Sequence, residues 1–297
     1  MRQLAWDHVQ LYADLDSATQ LVFLPAWLVV LGAAVTKRRF LLIAGGLLVL
    51  AQLIYVTPEL AASSALPASV HSEKTFRLFD ANVYERNTSM VGYISQLRNY
   101  KPDLLTMEEA TPDDRDQLAL AGVLTHIPHM YEISCCGSRG LLVASRYPIS
   151  SEKVYYVKHL AYLFTSTLHL PSGPVSLWVV HTTAPVGKGW NLWNEELHGV
   201  LNQLQALRPR SLLLIGDFNA TWGNQGFRAI LSTGLTDAAA ARGDPFEFTW
   251  SQQMSPLPPL LRIDHVLTKG SLAVTRISTQ RGPGSDHRDM TATIATG

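Results

Sequence analysis

Two long apolar runs open the chain, and after them short apolar segments alternate with polar ones. Leu21 to Val35 extends back to Ala18, and Phe40 to Val56 follows after only Thr36-Lys37-Arg38-Arg39. Each run is near the minimum of about 17 residues for a helix that crosses a bilayer. Neither has a polar face and basic residues gather only at the joint, which disfavours two buried core helices. The pattern predicts an N-terminal transmembrane helical hairpin, with helices over 18-35 and 40-56 in a membrane region 1-57. A cleaved signal peptide fits less well, because Asp7, Asp14 and Asp16 outnumber Arg2 ahead of the first run. An internal signal-anchor cut within Ala61-Ala62-Ser63-Ser64-Ala65 ranks second. Residues 58-72, rich in Ala, Ser and Pro, read as a linker, and 73-297 as one large domain.

Within that domain Phe76 to Phe79 alternates and ends near Asn82, Val91 to Leu97 has helical spacing, and Asp103 to Met107 is a short run closed by Glu108-Glu109. Thr111-Pro112-Asp113-Asp114 reads as a capped helix start, and Gly140 to Ser145 as a strand. Leu163 to Leu170 and Val175 to Val180 flank Pro171-Ser172-Gly173-Pro174 as a hairpin, and Trp190 to Leu207 is amphipathic. Arg262 to Thr268, Ala273 to Ser278 and Met290 to Ile294 are again strand-like. Hairpins mixed with strand-helix-strand units imply mixed sheets covered by helices, not a doubly wound parallel sheet.

Charge adds an orientation. Lys+Arg and Asp+Glu are balanced at 24 each over 297 residues, so no basic field advertises nucleic acid, although a bound cation or a local patch could do the same work. Lys37-Arg38-Arg39 should face the cytoplasm, which places the domain outside it, at the cell membrane. Cys135 and Cys136 are the only cysteines; a bridge between neighbours is strained, so both read as free thiols.

The chemistry gathers where strands end. Gly216-Asp217-Phe218-Asn219 closes the run Leu212 to Ile215; alone it would read as a turn with local side-chain to backbone bonds. Asn82, Glu109, His181 and Asp286-His287 also fall at or just after strand ends, and Asp264 lies within one. In its order this set resembles the endonuclease/exonuclease/phosphatase family, the deoxyribonuclease I-like fold, over roughly Thr75 to Thr293. Five segments carry the likeness: Phe79-Asp80-Ala81-Asn82, Pro102 to Glu109, Gly216 to Ala220, Arg262 to Leu267, and Gly284-Ser285-Asp286-His287-Arg288.

That resemblance implies an α/β four-layer sandwich of two mixed β-sheets flanked by helices. It implies a hydrolase of phosphoester bonds with one divalent metal, Mg²⁺ or Mn²⁺, held by Glu109 with Asn82 and bordered by Asp286. Oxygen ligands beside a phosphate suit that ion. Asp264 would orient His287, which activates water or receives charge; Asp217 would take or give a proton, and Asn219 would donate to a phosphoryl oxygen. His181 would contact phosphate or assist the leaving group, with a core-capping role as the alternative. The family usually shows Gln where Glu108 stands, and Thr before the histidine where Val180 stands.

His265 should face away from Asp264 and pack, and His169 and His198 default to structure. Arg139, Lys188, Trp190, Trp193 and Trp222 are candidates for shaping substrate choice. The expected partners are a phosphoester substrate, either lipid or small molecule or nucleic acid, and the membrane; no protein partner is predicted. The alternatives are a nuclease specifically, or a catalytically silent phosphate-binding module of the same fold.

Overall fold

The computed structural model describes residues 7, 9–60, 70–134, 137–244, 246–252 and 258–297. Cys135, Cys136 and most of the expected linker, with its candidate cleavage run, lie outside the described residues. Helix α1 (Gln10–Ser17) precedes α2 (Thr19–Val22), α3 (Leu24–Val35) and α4 (Arg39–Leu60). The strands are β1 (His71–Asn82), β2 (Leu104–Glu108), β3 (His129–Ile133), β4 (Leu141–Ser145), β5 (Ile149–Val157), β6 (Leu160–Leu170), β7 (Gly173–His181), β8 (Leu212–Asp217), β9 (Thr236–Asp237), β10 (Asp264–Lys269), β11 (Leu272–Arg281) and β12 (Arg288–Thr296). Between them lie α5 (Val91–Tyr100), α6 (Pro112–Leu120), α7 (Gly189–Leu207), α8 (Gln225–Leu231) and α9 (Ala238–Arg242).

The strands form two six-stranded mixed sheets, ordered β11-β12-β1-β2-β4-β3 and β5-β6-β7-β8-β10-β9. Side chains alternate across each strand, so one file of every strand faces the other sheet. Phe76, Leu78, Leu104 and Val143 of the first sheet meet Phe164, Leu177, Val179, Ile215 and Val266 of the second. The opposite files, Phe79, Leu105 and Met107, and Trp178, Val180 and Leu214, pack under α5 with α6 and under α7 with α8 respectively. These are the four layers the sequence implies.

The same alternation positions the chemistry. Continuing the inward files toward one end of the sandwich, Leu78 leads to Asp80 and Asn82, Leu104 to Glu108, Val179 to His181, Ile215 to Asp217, and Val266 back to Asp264. At that end the inter-sheet core changes from apolar to polar. Register aligns the groups: Asn82 pairs with Glu108, while Asp217 is flanked by His181 on one side and Asp264 on the other.

The N-terminal segment is two-part. From α1 the chain bends by 77° into the helical stretch Thr19–Val35. That stretch packs against α4, with Trp27 Nε1 donating to Gln52 Oε1 at 2.7 Å. Within α4, Arg39–Thr57 has a mean hydropathy of 2.2 and is only 11% buried, which makes it long and apolar enough to cross a membrane. Leu28, Leu31, Val35, Phe40 and Ile43 of the pair are exposed.

Candidate active site

Asp217, buried at the end of β8, is the centre of the site. Its Oδ1 accepts from the Asn219 backbone N–H at 2.7 Å. Its Oδ2 accepts from Asn82 Nδ2 at 3.2 Å and from Asn219 Nδ2 at 3.1 Å. Burial pushes the Asp217 carboxyl well above its usual range, and the charge of Asp264 adds to this. Gly216 makes the approach possible: it has φ +116°, and a Cβ there would sit 2.2 Å from the Val180 carbonyl oxygen.

His287 lies 3.8 Å from Asp217 through Nε2, and its Nδ1 donates to Asp264 Oδ2 at 2.9 Å. Burial alone would lower its pKa, but Asp264 and Asp217 outweigh it and raise the imidazole to about 10. It is therefore an imidazolium at neutral pH. Asp264 responds in reverse: burial would raise it, but the His287 charge and hydrogen bond hold it below the usual carboxylate range. Two hydroxyls set this pair. Thr249 Oγ1 accepts from Asp264 N at 3.2 Å, and Ser285 Oγ accepts from His287 N at 2.9 Å while donating to the Asn82 carbonyl at 2.7 Å.

His181 Nε2 lies 3.6 Å from Glu109 Oε1 and 3.9 Å from Asp217 Oδ2. Burial first, then the charges of Arg139 and His287, lower its pKa to about 3. The ring is neutral, so neither separation is an ion pair. Glu109 follows β2 with φ +59°, a left-handed conformation that turns its side chain out of strand alternation and into the cavity. There it accepts from Asn82 Nδ2 at 3.1 Å and Glu85 N at 2.8 Å, and burial raises its pKa. Asp286 Oδ2 accepts from Trp250 Nε1 at 3.2 Å on the same wall. Together these groups border a cavity of about 580 Å³.

These residues fit a hard divalent cation. Glu109 and Asp286 bring carboxylate oxygens to the cavity. Asn82 stands beside them with its Nδ2 on Glu109 and Asp217 and its Oδ1 accepting from Tyr84 N at 3.0 Å, so a reversal of the amide would offer that oxygen. Among the described residues no cationic side chain forms a salt bridge with Glu109, whose neighbour His181 is neutral. Asp217, Asp264 and His287 also offer ligand atoms within 4.8 Å of one another. A cationic imidazole committed to Asp264 is a poor metal ligand, however, so the oxygen wall suits the ion better.

All eight residues expected from the sequence thus meet in one cavity or its immediate wall, but one of them, Asn219, is engaged otherwise than expected. Both Asn219 amide hydrogens are engaged, by Thr182 O at 3.0 Å and by Asp217, so Asn219 positions Asp217 rather than presenting a free N–H to phosphate. Among the suggested specificity residues, Trp193 is fully buried and donates to the Phe218 carbonyl at 3.1 Å, and Trp222 donates to Asp237 at 3.1 Å. Arg139 is spent on Glu196 (3.2 Å) and on the carbonyls of Ala161 and His181, both at 3.0 Å. It braces the end of β7. His265 packs on the opposite face, bonded to Asp237 at 2.8 Å and Ala220 O at 2.9 Å. Sequence reasoning missed Thr249, Trp250 and Tyr84, which stand in no motif, and Ser285, which stood inside one.

Two mixed sheets with this polar end define a deoxyribonuclease I-like protein. A profile described as "Endonuclease/Exonuclease/phosphatase family" matches residues 81–287, and the chain belongs to that family, whose members hydrolyse phosphoester bonds. Among solved structures, an endonuclease/exonuclease/phosphatase from Beutenbergia cavernae DSM 12333 superposes with TM-score 0.59 at 18% identity, covering 75% of this chain and 72% of its own. The 3' phosphatase NExo from Neisseria, bound to a product DNA hairpin, gives 0.58 at 18% identity, with coverages of 73% and 98%. An AP endonuclease from Archaeoglobus fulgidus gives 0.61 at 15% identity, again with 73% and 98%. No curated protein sequence matches the chain significantly.

Proposed function

We propose that the chain is a divalent-metal-dependent phosphoester hydrolase, anchored in the cell membrane with its catalytic domain outside the cytoplasm. The observation that carries the catalytic part is the single level at which three adjacent strands deliver His181, Asp217 and Asp264, closed over by Glu109 and His287. A Mg²⁺ or Mn²⁺ ion at Glu109, Asn82 and Asp286 would neutralise phosphate charge and stabilise the departing oxygen.

Asp217 takes the proton of the attacking water. Burial strengthens its hold on a proton while three N–H donors favour its charged, accepting form, the two properties a general base combines. His287 presents its cationic Nε2–H to the phosphoryl oxygens as charge builds on them, and Asp264 holds the ring in that orientation through Nδ1–H. Of the two roles open to His287 in the sequence, receiving charge is the one its protonation supports. His181, being neutral, contributes a hydrogen bond and no charge.

The apolar, exposed surface of α3 and α4 supports the anchor, and Lys37-Arg38-Arg39 at their joint supports the orientation. The test uses the full chain in nanodiscs with Mg²⁺, against DNA, RNA, phospholipids and sugar phosphates. Turnover should vanish with chelator, and Glu109→Gln and His287→Ala should each lower kcat by about 100-fold or more. Metal-independent turnover, or full activity in both variants, would sink the proposal.

A further inference from the structure

The cavity that holds Glu109, His181, Asp217 and His287 has another border: Asp14 and Ser17 of α1. These residues precede the first apolar run, yet α1 is fixed along its length to the catalytic domain. Asp7 Oδ2 accepts from Gly226 N at 2.8 Å, and Asn194 Nδ2 donates to the Asp7 carbonyl at 2.7 Å. Asn224 Nδ2 donates to the Ala13 carbonyl at 3.1 Å, Thr221 Oγ1 donates to the Ser17 carbonyl at 3.0 Å, and the Ser17 hydroxyl donates to Asn224 Oδ1 at 2.9 Å. Ala13, 1% exposed, packs in the cluster that contains Trp193 and Phe218. At Gly223 a Cβ would stand 1.5 Å from the Asp16 carbonyl oxygen, so only glycine admits the helix.

The partners of α1 are the continuation of the catalytic turn itself: Asp217-Phe218-Asn219 runs straight into Thr221 to Asn224. The far end of the hairpin is pinned as well. Glu59, at the close of α4, pairs with Arg262 at 3.4 Å and accepts from Gln20 Nε2 at 3.1 Å. Arg262 stands two residues before Asp264. The apolar pair of helices is thus fastened at both ends to the segments that carry Asp217 and Asp264, and the mouth of the cleft opens beside it. The lip is apolar: Val186 is 79% exposed next to the cavity-lining Pro185, with Leu261 also on the lining, and α1 exposes Leu11 and Leu15.

We infer that α1 is a wall of the catalytic cleft held at the membrane surface, and that the substrate is the phosphoester of a membrane lipid, entering headgroup first past the apolar lip. This rests on the membrane-anchored hydrolase reading above. A headgroup lying in the plane of the bilayer is offered directly to the mouth, whereas a long duplex would have to pass between α1 and the loop at Thr182 to Val186.

The test uses the full chain with Mg²⁺ in nanodiscs containing phosphatidylglycerol or phosphatidylethanolamine. Bis(p-nitrophenyl) phosphate is the soluble comparison and a short DNA duplex the competing one. A disc lipid should be hydrolysed in preference to the duplex. Gly223→Ala, which evicts the Asp16 carbonyl, and the milder Glu59→Gln should each lower the lipid rate about tenfold or more, while the soluble diester stays within about twofold. Hydrogen exchange should show lost protection over residues 9–17 in Gly223→Ala and unchanged protection in β2 and β8. Cleavage of the duplex or soluble diester without any lipid turnover would overturn this inference and leave the hydrolase standing. Equal losses on lipid and soluble substrates in both variants would also overturn it, by making α1 a clamp for the whole fold. Absence of metal-dependent turnover on every substrate would overturn both readings.

Discussion

Glu108 and Glu109 differ by one step along the chain and by everything that follows from it. Strand alternation sends Glu108 into the space between the sheets, fully buried, with neither carboxyl oxygen hydrogen-bonded among the described residues. Burial first, then Asp80 and Asp264, hold its pKa well above the usual 4.5, and beside it Asp80 is pushed, chiefly by burial, to about 7. A carboxyl raised on folding gives stability that is full below its unfolded pKa and is lost as pH rises through the folded one. Glu108→Gln should therefore flatten the fall in stability that sets in as pH rises above the usual carboxylate range, and leave the variant the more stable form on the alkaline side, as read by urea unfolding across pH. At His287 the linkage has the same sign, and the raised pKa keeps the cation through neutral pH. Asp264→Asn should therefore move the alkaline limb of kcat/KM down by about one pH unit or more. The motifs made Asn82, Glu109, Asp217, Asp264 and His287 legible, and period-two alternation placed His265. Trp193 and Arg139 were not legible as structural, because only the fold shows a buried indole capping Phe218 and a guanidinium closed by Glu196.

At the scale of elements, local signals carried far. Thr111 and Asp114 form the reciprocal cap announced by Thr111-Pro112-Asp113-Asp114, with Thr111 N donating to Asp114 Oδ2 at 2.8 Å and Asp114 N to Thr111 Oγ1 at 3.3 Å. This cap starts α6 two residues after Glu109, so it fixes the exit of the turn that carries Glu109. Thr111→Ala should cost about 1 kcal/mol in denaturant unfolding. The β6-β7 hairpin and α7 also declare themselves by alternation and by a one-sided apolar stripe. Helix α1 does not. Its eight residues are too few for a clear period, and its partners, Thr221 and Asn224, are remote in sequence. The composition break between Ser17 and Leu21 marks where the apolar run starts, and gives no sign that the chain turns 77° there.

For the whole molecule, the two mixed sheets and the gathering of the site residues follow from the ordered motifs, while the attachment of the N-terminal helices to the domain does not. Orientation is testable directly. In a Cys135→Ser, Cys136→Ser background, a cysteine at Glu152 should react with an impermeant maleimide on intact cells, and one at Lys37 should react only after lysis. The reverse pattern would place the catalytic domain in the cytoplasm.

The seat of Ala13 has a last consequence. A polypeptide beginning after the hairpin would retain every side chain around Asp217, yet Gly226 N–H, the Asn224 amide and the Thr221 hydroxyl would each lose a partner, and the flank of Trp193 and Phe218 would be laid bare. Loss of the N-terminal helices would leave a stickier domain with a wider entrance. On the membrane-anchored reading proposed above, proteolysis there would alter what the enzyme admits as well as where it resides.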